Sequence, residues 1–152
     1  MQANQPLSEF FAEQISNTAA IVRAFPEADA GEIRHGTWTA KQILGHLIDS
    51  AANNHMRFVR GALQTEYHGP TYQQNLWVNL HDYQSLPWAK LVAWWSALNE
   101  ILVQVVRNIP VEKYAVPCFV ETQPDMTLDE LVRDYVAHMQ HHVEQLCTPS
   151  SS

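Results

Sequence analysis

The chain has 152 residues, 46% of them hydrophobic and 16% charged, which suits one globular domain with a single core and excludes disorder or a collagen-like chain. With 9 Lys and Arg against 16 Asp and Glu the formal net charge is −7, and no basic stripe is interleaved with aromatic residues, so no nucleic-acid partner is expected. Cys118 and Cys147 lie far apart without C-x-x-C spacing, which argues against a disulfide framework or a thiolate zinc site and points to a reducing cytoplasm.

The opening M-Q-A-N-Q-P-L-S-E-F-F lacks a basic region ahead of a long apolar run, so no targeting segment is expected. No later run approaches the roughly 18 apolar residues of a membrane span, and no membrane partner is expected. The first helix should run from about 6 to 25, because Leu7, Phe11, Ile15, Val22 and Phe25 recur at helical steps before Pro26. In T-W-T-A-K-Q, Thr39 can cap free amides while Gln42 reaches back. Ile43, Leu44, Leu47, Ala51, Phe58 and Ala62 then carry a second helix over about 39–64. A polar and aromatic connection of some 20 residues follows, far beyond the usual bundle loop.

The third helix starts at Pro87 and carries Trp88, Leu91, Trp95, Leu98, Leu102, Val105 and Ile109 up to Pro110. After V-E-K-Y-A-V-P-C-F-V-E-T-Q-P-D, where a short extended segment is expected, Thr127 and Glu130 form a second capping box. Leu128, Leu131, Tyr135, Met139, Val143 and Leu146 carry the fourth helix. Four amphipathic helices without an internal repeat make an all-α four-helix bundle the expected architecture, with residues 1–147 as its single domain and 148–152 as a frayed tail. If the long crossover between helices two and three spans the bundle, the order is up-down-down-up; the long connection before helix four leaves up-down-up-down open.

The stretch A-H-M-Q-H-H-V-E-Q-L holds three histidines. At about 100° per residue, His138 and His142 fall on the face of Leu131 and Tyr135, while His141 falls beside Asp134 and Gln145, bordering solvent or backing the ligands. Two histidines four apart can offer ring nitrogens to one ion, and His46 is the best third ligand. It lies ~10 Å inside helix two, whereas His142 and His138 lie ~7 and ~13 Å from the end of helix four, so the levels match only in an antiparallel pair. The alternative is a pair of core-edge histidines satisfied by hydrogen bonds. His46, Ser50, Asn53 and Arg57 form a polar stripe that could line a cavity or face solvent. Asp49 and Asp134 are placed to fix a histidine tautomer, or to be exposed helix charges. His55 reads as structural, and His35, His68 and His81 as loop residues, the last two able to overhang the site.

In W-T-A-K-Q-I-L-G-H-L-I-D-S-A-A-N-N-H and the H-x-x-H-H of the last helix, the chain resembles the DinB-like (YfiT-like) metal-dependent hydrolase superfamily over nearly its whole length. The resemblance implies an up-down-down-up bundle with a divalent metal held by His46, His138 and His142. Zinc is the expected occupant and nickel the second, because imidazole suits both. The expected activity is metal-dependent hydrolysis of a small-molecule substrate, with Tyr72 and Trp77 of the crossover as substrate contacts and no residue singled out as catalytic base. Similar proteins include thiol-dependent S-transferases and a mycothiol-dependent isomerase, so thiol transfer is one alternative. A non-catalytic metal-binding or interaction bundle is another. The resemblance and the abundant apolar helix surface also admit a homodimer.

Overall fold

The computed structural model describes residues 5–148. Four long helices make the bundle: α1 (Leu7–Ala24), α2 (Ala40–Leu63), α4 (Trp88–Asn108) and α5 (Leu128–Cys147). A shorter α3 (Gln74–His81) lies in the crossover. The helix starts follow the capping chemistry of the sequence: Thr39 accepts from the Gln42 amide and Thr127 from the Glu130 amide, each with the reciprocal side-chain bond. The expected tail lies, beyond Thr148, outside the described residues.

The pairing of side chains gives the directions. Phe11 packs on Tyr135 and Gln140 donates to Gln14, so α1 and α5 run parallel. Trp88 at the start of α4 donates to Val22 O near the end of α1, so those two are antiparallel. His46 meets His138 near one end of α2, and Gly61 meets Leu128 near the other, which makes α2 and α5 antiparallel. The order is therefore up-down-down-up. α1 and α2 are diagonal in the bundle, as are α4 and α5, while α1 and α2 each flank both α4 and α5. Between the helices lies one core, with Phe11, Leu44, Phe58, Trp95, Leu102, Leu131 and Met139 fully enclosed.

Two small sheets supplement the bundle. An antiparallel hairpin of β1 (Ile33–His35) and β2 (Trp38–Thr39) leads into α2, with Gly36 at φ 56° in its turn, a backbone region open to glycine. Beyond α2, β3 (Tyr67–Gly69) pairs in parallel with β4 (Pro117–Val120), which pairs antiparallel with β5 (Met126–Thr127). This sheet closes the end of the bundle where both long connections begin. From there α3 carries the crossover back along α2 to a 3₁₀ turn at Tyr83–Ser85. Tyr83 seats against Gly45, where a Cβ would come within 2.0 Å of its ring. Among the described residues, no helix is long and apolar enough to cross a membrane.

Candidate metal centre

The antiparallel contact of α2 with α5 brings three imidazoles together. One ring nitrogen from each of His46, His138 and His142 lies within 4.8 Å of the others. His46 and His138 meet Nε2 to Nε2 at 3.1 Å, and the ring of His142 lies edge-on to both at 4.6 Å between centroids. His46 is buried and the other two are half-buried. Burial first, then the mutual proximity of His142 and His138, pushes the His46 pKa from its ordinary 6.5 down to about 3. Burial and His138 push His142 down to about 4, against the raising effect of its bond to Gln145, and His138 is lowered by burial and by His141. All three rings are thus neutral at neutral pH, the form in which imidazole donates to a metal.

The surrounding side chains orient the cluster. Gln145 Oε1 lies 2.8 Å from His142 Nδ1, and because an amide oxygen only accepts, that nitrogen carries the proton and Nε2 has a free lone pair. The same amide's Nε2 donates to His141 Nε2 at 3.2 Å, so exposed His141 reaches the cluster through Gln145. Trp38 of the hairpin covers the rings from outside, its centroid 5.1 Å from that of His46 and 6.4 Å from that of His142. Neither Gln145 nor Trp38 stands out in the sequence as a site residue, one being a polar residue one turn past a ligand and the other lying in an unexpected strand.

Two cavities share His138. An open cleft of about 430 Å³ runs along Trp38, His142, Gln145 and the first turn of α3, with exposed His35 on its edge. A smaller cavity of about 70 Å³ lies on the other side, lined by Ser50, Asn54, Arg57, Tyr72, Gln123, Asp134, Tyr135 and His138. Ser50 thus faces the cavity as its place on the polar stripe suggests. Asn53 does not: its amide donates to Asp49 O at 2.9 Å, one turn back, and Asn54, bonded likewise to Ser50 O, takes the cavity position. The cavity lies to one side of His46, where residue 54 falls about 80° round the helix and residue 53 about −20°. Asp134 is exposed at the cavity mouth, where partial burial raises its carboxyl pKa against the pull of Arg57.

Asp49 also differs from the expectation that it fixes a cluster histidine. Its Oδ1 accepts from Tyr83 Oη at 2.7 Å and lies 3.3 Å from His81 Nδ1, while Oδ2 is buried without a partner. No hydrogen bond joins Asp49 to the three rings, because it stands about −60° round α2 from His46, toward the crossover. Burial raises its pKa against the lowering effects of Tyr83 and His81. The crossover is helical where the sequence reads as a loop, and it presents Tyr72 to the cluster, ring centroid 6.4 Å from that of His46. Trp77 stands behind, 5.3 Å from Tyr72, and buttresses it; Gln74 and Asn75 of α3 line the cleft instead. His68 lies away from the cluster, stacked on Phe119 and 2.6 Å from Glu66.

The sequence model of the DinB superfamily matches residues 11–146. "Putative metal-dependent hydrolase YfiT" of Bacillus subtilis (strain 168) is 24% identical over 114 residues, covering 74% of this chain and 64% of that protein. "Putative metal-dependent hydrolase BH0277" of Halalkalibacterium halodurans is 22% identical over 113 residues, covering 74% and 66%. The chain therefore spans less than two thirds of the length of either relative. Among solved structures, YfiT superposes with a TM-score of 0.79 at 19% identity, covering 92% of this chain and 83% of that one, and is described as having an unusual four-helix bundle topology. The mycothiol-dependent maleylpyruvate isomerase superposes with a TM-score of 0.78 at 12% identity, covering 93% and 60%. These likenesses show a shared fold.

Proposed function

The chain belongs to the DinB superfamily, and from that premise we propose that it is a metal-dependent enzyme in which His46, His138 and His142 hold one divalent cation beside a small-molecule cleft. The observation that carries this reading is the convergence of three neutral imidazoles on one point. Their donor set fits the group: nitrogens bound to tetrahedral zinc stand about 3.3 Å apart, and the shortest pair here stands at 3.1 Å. Zinc is the proposed occupant and nickel the second. When bound, such an ion lowers the pKa of its water toward 7 or polarises a carbonyl oxygen.

The chain's own groups prepare this chemistry. Gln145 holds His142 in the tautomer that leaves Nε2 free, and Trp38 shields the ring cluster from bulk water. The cleft between the hairpin and α3 gives a substrate its approach. Hydrolysis is the leading reading, supported by the names of the two relatives. Thiol transfer is the second, favoured by the fold shared with a mycothiol-dependent isomerase. Buried Cys118 and exposed Cys147, both free thiols, support a reducing, cytoplasmic setting.

Elemental analysis of protein purified without chelator tests the proposal. Bound zinc or nickel that is lost in His46→Ala is the expected result. Absence of metal, together with a His46→Ala variant that melts like the parent in added zinc, would overturn it. Turnover of ester and amide substrates against thiol conjugates then separates the two reactions, and bound metal with no turnover on any of them favours a non-catalytic binding role.

A further inference from the structure

Arg57 is only 5% exposed, yet among the described residues it donates a single hydrogen bond, from Nη2 to Pro70 O at 3.1 Å. A guanidinium has five N–H donors and stays charged, so burying it with one partner is costly unless a counter-charge and further acceptors arrive. Among the described residues no carboxylate pairs with it: the three ion pairs involve His68, His81 and Arg133. Asp134 shares its cavity, but stands exposed at the mouth, where water screens its charge. The enclosed part of the cavity is governed by the positive charge of Arg57.

The rest of the lining matches an acceptor-rich ligand. Ser50 and Tyr72 offer hydroxyls, and Arg57 lies with its guanidinium carbon 6.0 Å from the Tyr72 ring. The volume of about 70 Å³ leaves room for a carboxylate. His138 forms part of the same wall, so a carboxylate held here sits beside the three-histidine cluster, with the 430 Å³ cleft open beyond it.

We propose that this cavity is a subsite for the carboxylate of the substrate, held by the planar fork of Arg57, and that the protein acts on small carboxylic acids whose remaining part extends past the histidines into the open cleft. That the protein acts on such acids rests on the metal-enzyme reading; carboxylate capture by Arg57 does not need the cation. A neutral substrate would leave Arg57 buried and uncompensated. Bidentate hydrogen bonding to a charged fork is geometry that Lys cannot reproduce.

Titrating acetate into ¹⁵N-labelled, metal-free protein tests this, with the amide signals of Ser50 and Asn54 as reporters. Saturable shifts that vanish in Arg57→Met are expected, with Arg57→Lys binding about tenfold more weakly for loss of one charge-assisted bond. Should Arg57→Met fail to fold, Arg57→Lys decides, and unchanged affinity there overturns the subsite. Shifts that persist in a folded Arg57→Met, or no shifts in the parent, also overturn it. Acetate binding that requires added zinc and ignores Arg57 would put the carboxylate on the cation; the subsite would fall while the metal centre stood.

Discussion

A histidine that binds metal through one ring nitrogen is held in the right tautomer when its other nitrogen is committed to a donor bond. Gln145 supplies that commitment to His142 from one turn away on α5. Gln145→Leu is therefore expected to weaken zinc affinity by about 10–100-fold, read by competition with a chromophoric chelator, while the metal-free protein melts close to the parent. A parent-like affinity would remove Gln145 from the centre. The face-by-face reading of the last helix located His138 and His142 correctly relative to the core and set His141 aside, because a period of 3.6 is visible in sequence. On α2 the polar stripe takes in Asn53, whereas Asn54 meets the cavity, since only the position of the neighbouring helix decides which of the two does so. Asp49 escaped for the same reason: its partner Tyr83 sits 34 positions away, in a turn without sequence signature.

Among the elements, α2 bears most of the arrangement, with the histidine cluster, the small cavity and the crossover each occupying part of its surface. Gly45 is the hinge of that sharing in a steric sense, as the Tyr83 ring fills the space where its side chain would be. Gly45→Ala forces Tyr83 outward, and overpacking of this kind costs about 1–3 kcal/mol. The expected result is a lower urea midpoint together with a loosened crossover, seen as faster amide exchange at α3; unchanged exchange there would show that Tyr83 does not anchor it. The four long helices were legible because their apolar spacing is regular and two of them begin with capping boxes. Helix α3 was not: it has eight residues, no side-chain cap, one buried residue, and ends at Asp82 with φ 49°. Of the small sheets only the extended segment holding β4 was legible; the other strands are two or three residues long, and β3 finds its partner β4 across a long separation in sequence.

For the molecule as a whole, three neutral imidazoles in one place make stability depend on pH. The unfolded chain takes up protons near the ordinary histidine value of 6.5, whereas folded His142 and His46 do so only near about 4 and about 3. The metal-free fold is therefore most stable above 6.5 and loses stability as pH falls from there toward 3. Urea midpoints at neutral pH and at about pH 4.5 measure the slope, and His46→Leu should flatten it; an equally steep slope in that variant would assign the effect to other groups. The global topology was partly readable, because matching the levels of His46 and His142 demanded an antiparallel pair, yet loop lengths alone admitted either order. The diagonal placement of α1 and α2, and of α4 and α5, has a kinetic consequence. Neither α1 with α2 nor α4 with α5 forms a neighbouring pair, and α2 meets α4 only across the long crossover, so each lateral contact must close a long stretch of chain, which slows folding relative to a simple up-and-down bundle. During synthesis α1 and α2 wait for α4, and the imidazoles of α5 join His46 only once α5 itself has emerged. A chain cut short before α5 would lose both its fourth wall and two of its three clustered imidazoles.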